Sequence, residues 1–385
     1  MSEKKQQGSG RERREKLLQQ EQQLKSDAQN EILPAPVQAD TTTVMAAPKP
    51  TVPTRPRPIV RVFKKRGVGD LYELGSDSYR LEKVVGSEIG QAVGKSEVWR
   101  ARHLGSERDV FVKKFVSPLY PSDEDLLDPI HGAELKRRYQ RFEDRHVEVG
   151  NRLKRDVVGS GALVKPLAFG RPKDSLACIK VYPWVEGASV LSRDLVKSWS
   201  IQTRSVFLRT LLLGLWELHA LGVAHGDIKR ENILVIGRPI GPVARLIDFD
   251  EAFPSDAPPK NLDDYEIGTT HFTPEWKALE NPDWVQEVTG VPVKGLRLGT
   301  ATDVFQLAIL LEEIFGLGSV SWIQKKNVEL NDNAEASLRR ARPMTSDLGL
   351  SRPRVAQLLQ QSLLPMPAQR PTVPELLSAI GVTVA

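Results

Sequence analysis

The residues His225-Gly226-Asp227-Ile228-Lys229-Arg230-Glu231-Asn232 and, further on, Asp248-Phe249-Asp250 gather carboxylates, a lysine and a carboxamide within two short stretches. Ile233-Leu234-Val235 follows the first group and Leu246-Ile247 precedes the second, so each polar cluster abuts a short apolar run of the kind that forms a buried strand. Phosphoryl transfer asks for such a set: a carboxylate to orient and deprotonate a hydroxyl, a cation beside the moving phosphate, and Asn and Asp oxygens to hold magnesium. Asp227, Lys229, Asn232 and Asp248 supply these groups in that order. A single Asp or Asn more often caps a turn; the grouping in register is what points to chemistry.

These stretches resemble the protein kinase family, whose catalytic loop H-R-D-L-x-x-x-N and D-F-G motif are matched except that Gly226 replaces arginine and Asp250 replaces glycine. The resemblance implies Asp227 as catalytic base, Lys229 as its catalytic partner in the Ser/Thr-specific branch, and Asn232 and Asp248 as ligands of Mg2+. It also implies ATP as the phosphoryl donor. Gly226 offers no cation to an activation-loop phosphate, so such a phosphate at Ser255, Thr269 or Thr270 is not expected to be required.

The elements that must position these groups start near Tyr79, where Tyr79–Val85, Val98–Arg102 and Val110–Val112 alternate as strands around a glycine-bearing turn. Gly94-Lys95-Ser96 is not a Walker A loop, because Ile89 stands where its first glycine is required. With Val98 set on the valine of the kinase glycine loop, Gln91, Val93 and Ser96 fall on its glycine positions, and Gly90 and Gly94 lie off register. The loop is therefore degenerate, with Gly90, Gly94 and Val98 expected over the nucleotide. By resemblance Lys113, ending Val110-Phe111-Val112-Lys113, contacts the α and β phosphates, while Lys114 points to the opposite face of its strand. The charged helix from Ala133 to Lys154 is expected to supply the glutamate that pairs with Lys113. Spacing to the next apolar strand favours Glu148, with Glu143 in reserve. Ile179–Gly187 resembles the kinase hinge, so the adenine is expected on backbone groups between Pro183 and Val185. An apolar helix through Val206–His219 then leads into the catalytic loop.

Downstream, Gly268–Glu275 resembles the activation segment, Thr273-Pro274-Glu275 standing for A-P-E. By the same resemblance Asp303 anchors the catalytic-loop backbone and Arg370 pairs with Glu275. The interval from Glu275 to Asp303 is long for the family, and the insertion carrying Trp276 and Trp284 is either a specificity element or packing.

The 385 residues, 40% of them apolar, can build a sizeable core, and the formal charge of +5 is spread among acids, which speaks for a solvated surface rather than nucleic-acid binding. No apolar run reaches membrane-spanning length, and the single cysteine, Cys178, fits a reducing compartment. A cytoplasmic protein without membrane association is expected. Residues 1–60 are charged and Gln-rich, then Pro-rich, too poor in apolar groups to offset ordering entropy. They read as a disordered arm, free to dock a partner but more often a plain tail. Residues 61–78 read as a linker and 79–385 as the kinase-like domain. The expected fold is α+β and bilobal, with a small antiparallel-sheet lobe over 79–185 and a mainly helical lobe over 186–385. The expected function is ATP-dependent Ser/Thr phosphorylation of protein substrates, including the chain itself. A pseudokinase scaffold and a small-molecule or sugar kinase of the aminoglycoside phosphotransferase type are the alternatives.

Overall fold

In the strand Arg108–Phe115, Val110 and Val112 are buried on one side of the sheet, while Phe111, Lys113 and Phe115 face the other. This alternation fixes what the small lobe offers to each of its faces. The computed structural model describes residues 66–85, 96–155, 160–260, 273–280, 282–315 and 353–384. The expected arm, the turn carrying Gly90 and Gly94, and Thr269 and Thr270 lie outside the described residues.

Among the described residues seven strands come first, interrupted by one helix: β1 (Leu71–Leu74), β2 (Asp77–Val84), β3 (Ser96–His103), β4 (Arg108–Phe115), helix α1 (Pro129–Leu153), β5 (Ala168–Gly170), β6 (Ile179–Pro183) and β7 (Ala188–Val190). Six of them form an antiparallel sheet in the order β1-β2-β3-β4-β6-β5. The linker expected over 61–78 is thus corrected from Leu71 onward. Leu71 pairs with Arg80 and Tyr72 with Tyr79, and the buried Tyr72 joins Tyr79, Leu81, Trp99, Ala101, Val110, Val112, Ile179 and Val181 in one core. This short strand gains its place by turning the aromatic Tyr72, and Leu74 on the same face, onto that core.

Against the other face lies α1. Its buried side chains Tyr139, Phe142, His146, Val149 and Leu153 recur at spacings of three and four, one helical stripe. The Asp128 side chain caps it, accepting from the Ile130 and His131 amides at 2.9 and 3.0 Å, and proline at the first position needs no partner for its nitrogen.

The large lobe is mainly helical. After the short α2 (Arg193–Lys197), helix α3 (Ile201–Ala220) buries Phe207, Leu208, Leu211, Leu212, Leu215 and Leu218. Then come β8 (Val223–Ala224), β9 (Ile233–Ile236), β10 (Val243–Leu246) and β11 (Phe253–Pro254), followed by α4 (Pro274–Glu280), α5 (Pro282–Thr289), α6 (Thr300–Phe315), α7 (Pro353–Ser362) and α8 (Val373–Ala379). Strands β10, β9 and β7 form a three-stranded sheet, and β8 pairs with β11. The main core joins α3 to α6, α7 and α8 and reaches Ile233 of β9, Leu246 of β10 and Phe249 just beyond it. Among the described residues no helix is long and apolar enough to cross a membrane.

Candidate active site

The loop from Ala224 to Ile233 turns between two buried strands, and α6 holds it by its backbone. The fully buried Asp303 accepts from the amides of His225 and Gly226, each at 2.8 Å, and its Oδ2 lies 2.8 Å from His219 Nε2. One turn further along α6, Gln306 accepts from the Ile228 amide at 2.9 Å and donates to the Gly226 carbonyl at 2.7 Å. Sequence reading had singled out Asp303 but missed Gln306. The only signal was a polar residue three positions on, on the same face.

Gly226 has a φ of +77°, and a Cβ on it would fall 2.6 Å from the Glu251 carbonyl oxygen. Both the conformation and the space exclude the arginine found there in the related motif. Beyond it, Lys229 Nζ stands 2.6 Å from Asp227 Oδ2. The Asn232 Nδ2 group donates to Asp227 twice, to its carbonyl at 2.8 Å and to Oδ2 at 3.0 Å. Asn232 is thereby oriented, with its Oδ1 left as an acceptor.

On the other side of the β9–β10 hairpin, Asp248 adopts the left-handed conformation, φ 63°, which side chains rarely take outside functional turns. The Ile247 amide donates to the Asn232 carbonyl at 3.0 Å, His225 Nε2 donates to the Ile247 carbonyl at 3.0 Å, and Phe249 is buried beside the His225 ring. The two motifs are thus one unit.

Lys113 of β4 donates to both carboxylate oxygens of Asp248, at 2.8 and 2.9 Å, and sits 2.5 Å from Asp250. Val98 on β3 is its register partner on one side and Lys180 on β6 on the other. Lys114 faces away and pairs with Glu97 at 3.1 Å. Burial alone would lower the Lys113 pKa, but the two carboxylates raise it well above the ordinary lysine range. Burial and the Asp250 charge push Asp248 up, against Lys113. Asp250 goes the other way: burial opposes its ionisation, yet the Lys113 and Lys180 ammonium groups hold it well below the usual carboxylate range.

Glu148 does not pair with Lys113. Its Oε1 accepts from Arg152 Nε at 2.7 Å, and Arg152 reaches onward to the Gly222 carbonyl at 2.9 Å and to Asp256. Glu143, the reserve, accepts from Tyr139 and Gln140. The physical reason is rotational phase: neither glutamate belongs to the buried stripe of α1, whose inward titratable side chains are Tyr139 and His146. Burial, then the Lys180 and Arg145 charges, hold that imidazole well below its ordinary pKa, so it is neutral. Its Nε2 has no hydrogen-bond partner among the described residues.

Past β6 the chain passes Pro183 and Val185, with the Trp184 amide donating to the Asp109 carbonyl at 3.3 Å. The insertion after Glu275 is built largely as packing: Trp276 is buried with Ala224, Phe253 and Leu298 beneath the catalytic loop. Arg370 pairs with Glu275 in full burial and also donates to the carbonyls of Leu364, Pro365 and Ala301 at 2.8, 2.9 and 2.9 Å.

Two comparisons bear on this geometry. Residues 178–379, just over half of the chain, match the protein kinase domain. The chain belongs to the protein kinase family. It is also similar to the cell cycle protein kinase spo4 of Schizosaccharomyces pombe, 26% identical over 188 residues, which cover 48% of this chain and 42% of that protein. The matched stretch therefore spans less than half the length of that curated relative. The chain's bilobal α+β architecture is that of the kinase fold.

A kinase domain of this fold uses ATP with Mg2+, and the donor set here suits the metal. Asn232 and Asp248 are hard oxygen donors, and Mg2+ usually takes one or two protein oxygens and completes its shell with phosphate and water. The carboxylate of Asp248, pushed up by burial and by Asp250, is one whose ionised form a divalent cation would relieve.

Proposed function

We propose that the chain is a Ser/Thr protein kinase that uses Mg-ATP, with Asp227 as the base. Asp227, held by Asn232 and beside Lys229, orients and deprotonates the acceptor hydroxyl. Lys229 offsets charge on the transferring phosphoryl group, and Lys113 holds the α and β phosphates. Asn232 and Asp248 hold Mg2+, which when bound neutralises charge between the β and γ phosphates. The Pro183 carbonyl and the Val185 amide receive the adenine, and Val98 lies over the nucleotide.

The observation that carries a protein acceptor is the buried Glu275–Arg370 pair. It fixes α4, whose Trp276 packs under the catalytic loop, and so supports a rigid platform beside Asp227 on which an extended peptide can lie. A second reading, a small-molecule kinase, is favoured by Gly226 and Asp250, both of which resemble the aminoglycoside phosphotransferase type.

The test is transfer from γ-labelled ATP to a mixed protein acceptor, to Ser/Thr and Tyr peptides, and to aminoglycoside and sugar acceptors. Label on serine or threonine is expected. Label only on a small molecule would replace the protein-kinase reading with the second one.

A further inference from the structure

Four charged side chains, two positive and two negative, meet in the cleft with little access to water. Side-chain exposures are 2% for Lys180, 13% for Lys113, 16% for Asp250 and 31% for Asp248. Besides its contact with Lys113, Asp250 accepts from Lys180 Nζ at 2.9 Å, and Lys180 also donates to the Phe249 carbonyl at 3.3 Å. Lys113 and Lys180 are directly opposed on β4 and β6, so both ammonium groups leave the sheet on the same face. Burying a lysine requires a partner charge, and removing one member of such a pair leaves an uncompensated ion. Helix α1 provides no such charge to Lys113: its inward positions are aromatic, aliphatic or the neutral His146.

On the phosphotransfer reading above, we propose that Asp250 is the residue that holds Lys113 in position for the nucleotide phosphates, and that Lys180 in turn holds Asp250. The anchor of the phosphate-binding lysine is then carried on the same segment as the metal ligand Asp248. Two carboxylates on Lys113 allow one, Asp248, to turn to the cation while the other stays. The position of α1 therefore does not govern whether Lys113 is anchored, which removes one way of switching the domain off by moving a helix.

Two measurements test this. In urea unfolding of the nucleotide-free protein, double-mutant cycles of Lys113→Met with Asp250→Asn, and of Lys180→Met with Asp250→Asn, are expected to show coupling of about tenfold or more in the unfolding constant. The cycle of Lys113→Met with Glu148→Gln is expected to show less than about twofold. In calorimetric titration with Mg-ATP, Asp250→Asn is expected to weaken binding about tenfold or more, Asp250→Glu to recover part of it, and Glu143→Gln and Glu148→Gln to stay within about twofold of wild type. If Asp250→Asn does not fold, Lys180→Met/Asp250→Leu removes one charge of each sign and serves in its place.

Absence of Lys113–Asp250 coupling, or wild-type nucleotide affinity in a folded Asp250 variant, would overturn the inference. Wild-type protein that ignores Mg-ATP would count against the phosphotransfer reading instead, and the unfolding cycles would still decide the pairing.

Discussion

Gly226 joins sequence to catalysis through a single missing atom. With φ at +77° and the Glu251 carbonyl oxygen 2.6 Å from where a Cβ would stand, the loop closes onto Glu251 and Phe253, where the chain enters β11, only because no side chain is present. Gly226→Ala should cost about 1–3 kcal/mol, the range for a side chain forced into a disfavoured backbone region, read by urea unfolding. No loss would mean that the loop rearranges freely. The sequence displayed the glycine, but its necessity arises from a strand that lies next to it only after folding. His146 is the second residue whose role is set by its surroundings. Burial and the Lys180, Arg145 and Lys113 charges, opposed by Asp250, keep it from protonating. Below about pH 6.5 the unfolded chain gains a proton that the folded one refuses. Stability that is present above that pH is therefore lost as pH falls, by up to about 1.4 kcal/mol per pH unit. Unfolding midpoints between pH 7 and 5 should show this slope in wild type and less of it in His146→Leu; equal slopes would refute a neutral buried imidazole.

At the scale of elements, strand alternation was legible. Val98–Arg102 and Val110–Val112 read as strands and lie in β3 and β4, with Lys113 and Lys114 on opposite faces of the latter. Helix α1 was legible as a helix but not in its phase. Choosing a glutamate by distance to the next strand ignores which side of the helix faces in, whereas the spacing of Tyr139, Phe142, His146, Val149 and Leu153 contains that information. Strand β1 was hidden because it is only four residues long, with Tyr72 and Leu74 alone turned to the core. The phase has an energetic consequence. Phe142, packed edge-on against Phe115 with ring centroids 5.1 Å apart, should cost about 3–5 kcal/mol on truncation to alanine. Glu148→Gln, at a half-exposed i,i+4 pair with Arg152, should change stability by less than about 0.5 kcal/mol. Thermal or urea unfolding of the two variants checks the contrast, and comparable losses would place Glu148 in the core after all.

For the whole molecule, what made the family readable was the order of polar motifs along the chain, because each recurs where a buried backbone needs a partner: Asp303 under the catalytic loop, Glu275 and Arg370 joining α4 to the segment before α8. What could not be read was the exchange of partners at Lys113. It depends on Asp250 and Lys180 converging from places far apart in sequence, and a lone lysine between Ile179 and Val181 was the one available sign of a buried charge. The Glu275–Arg370 pair is fully buried, so Arg370→Met should destabilise the domain by about 3–5 kcal/mol, with Glu275→Leu/Arg370→Met recovering part of the loss in equilibrium unfolding. A neutral single variant would contradict its structural role.

In the proposed function Asp227 is the base for transfer from ATP. The most direct measurement is the initial rate of phosphate transfer from Mg-ATP by wild type and Asp227→Asn, with matched circular dichroism spectra. A fall of about 10²–10⁴-fold is expected, the usual contribution of a positioned general base, and an unchanged rate in the folded variant would contradict it.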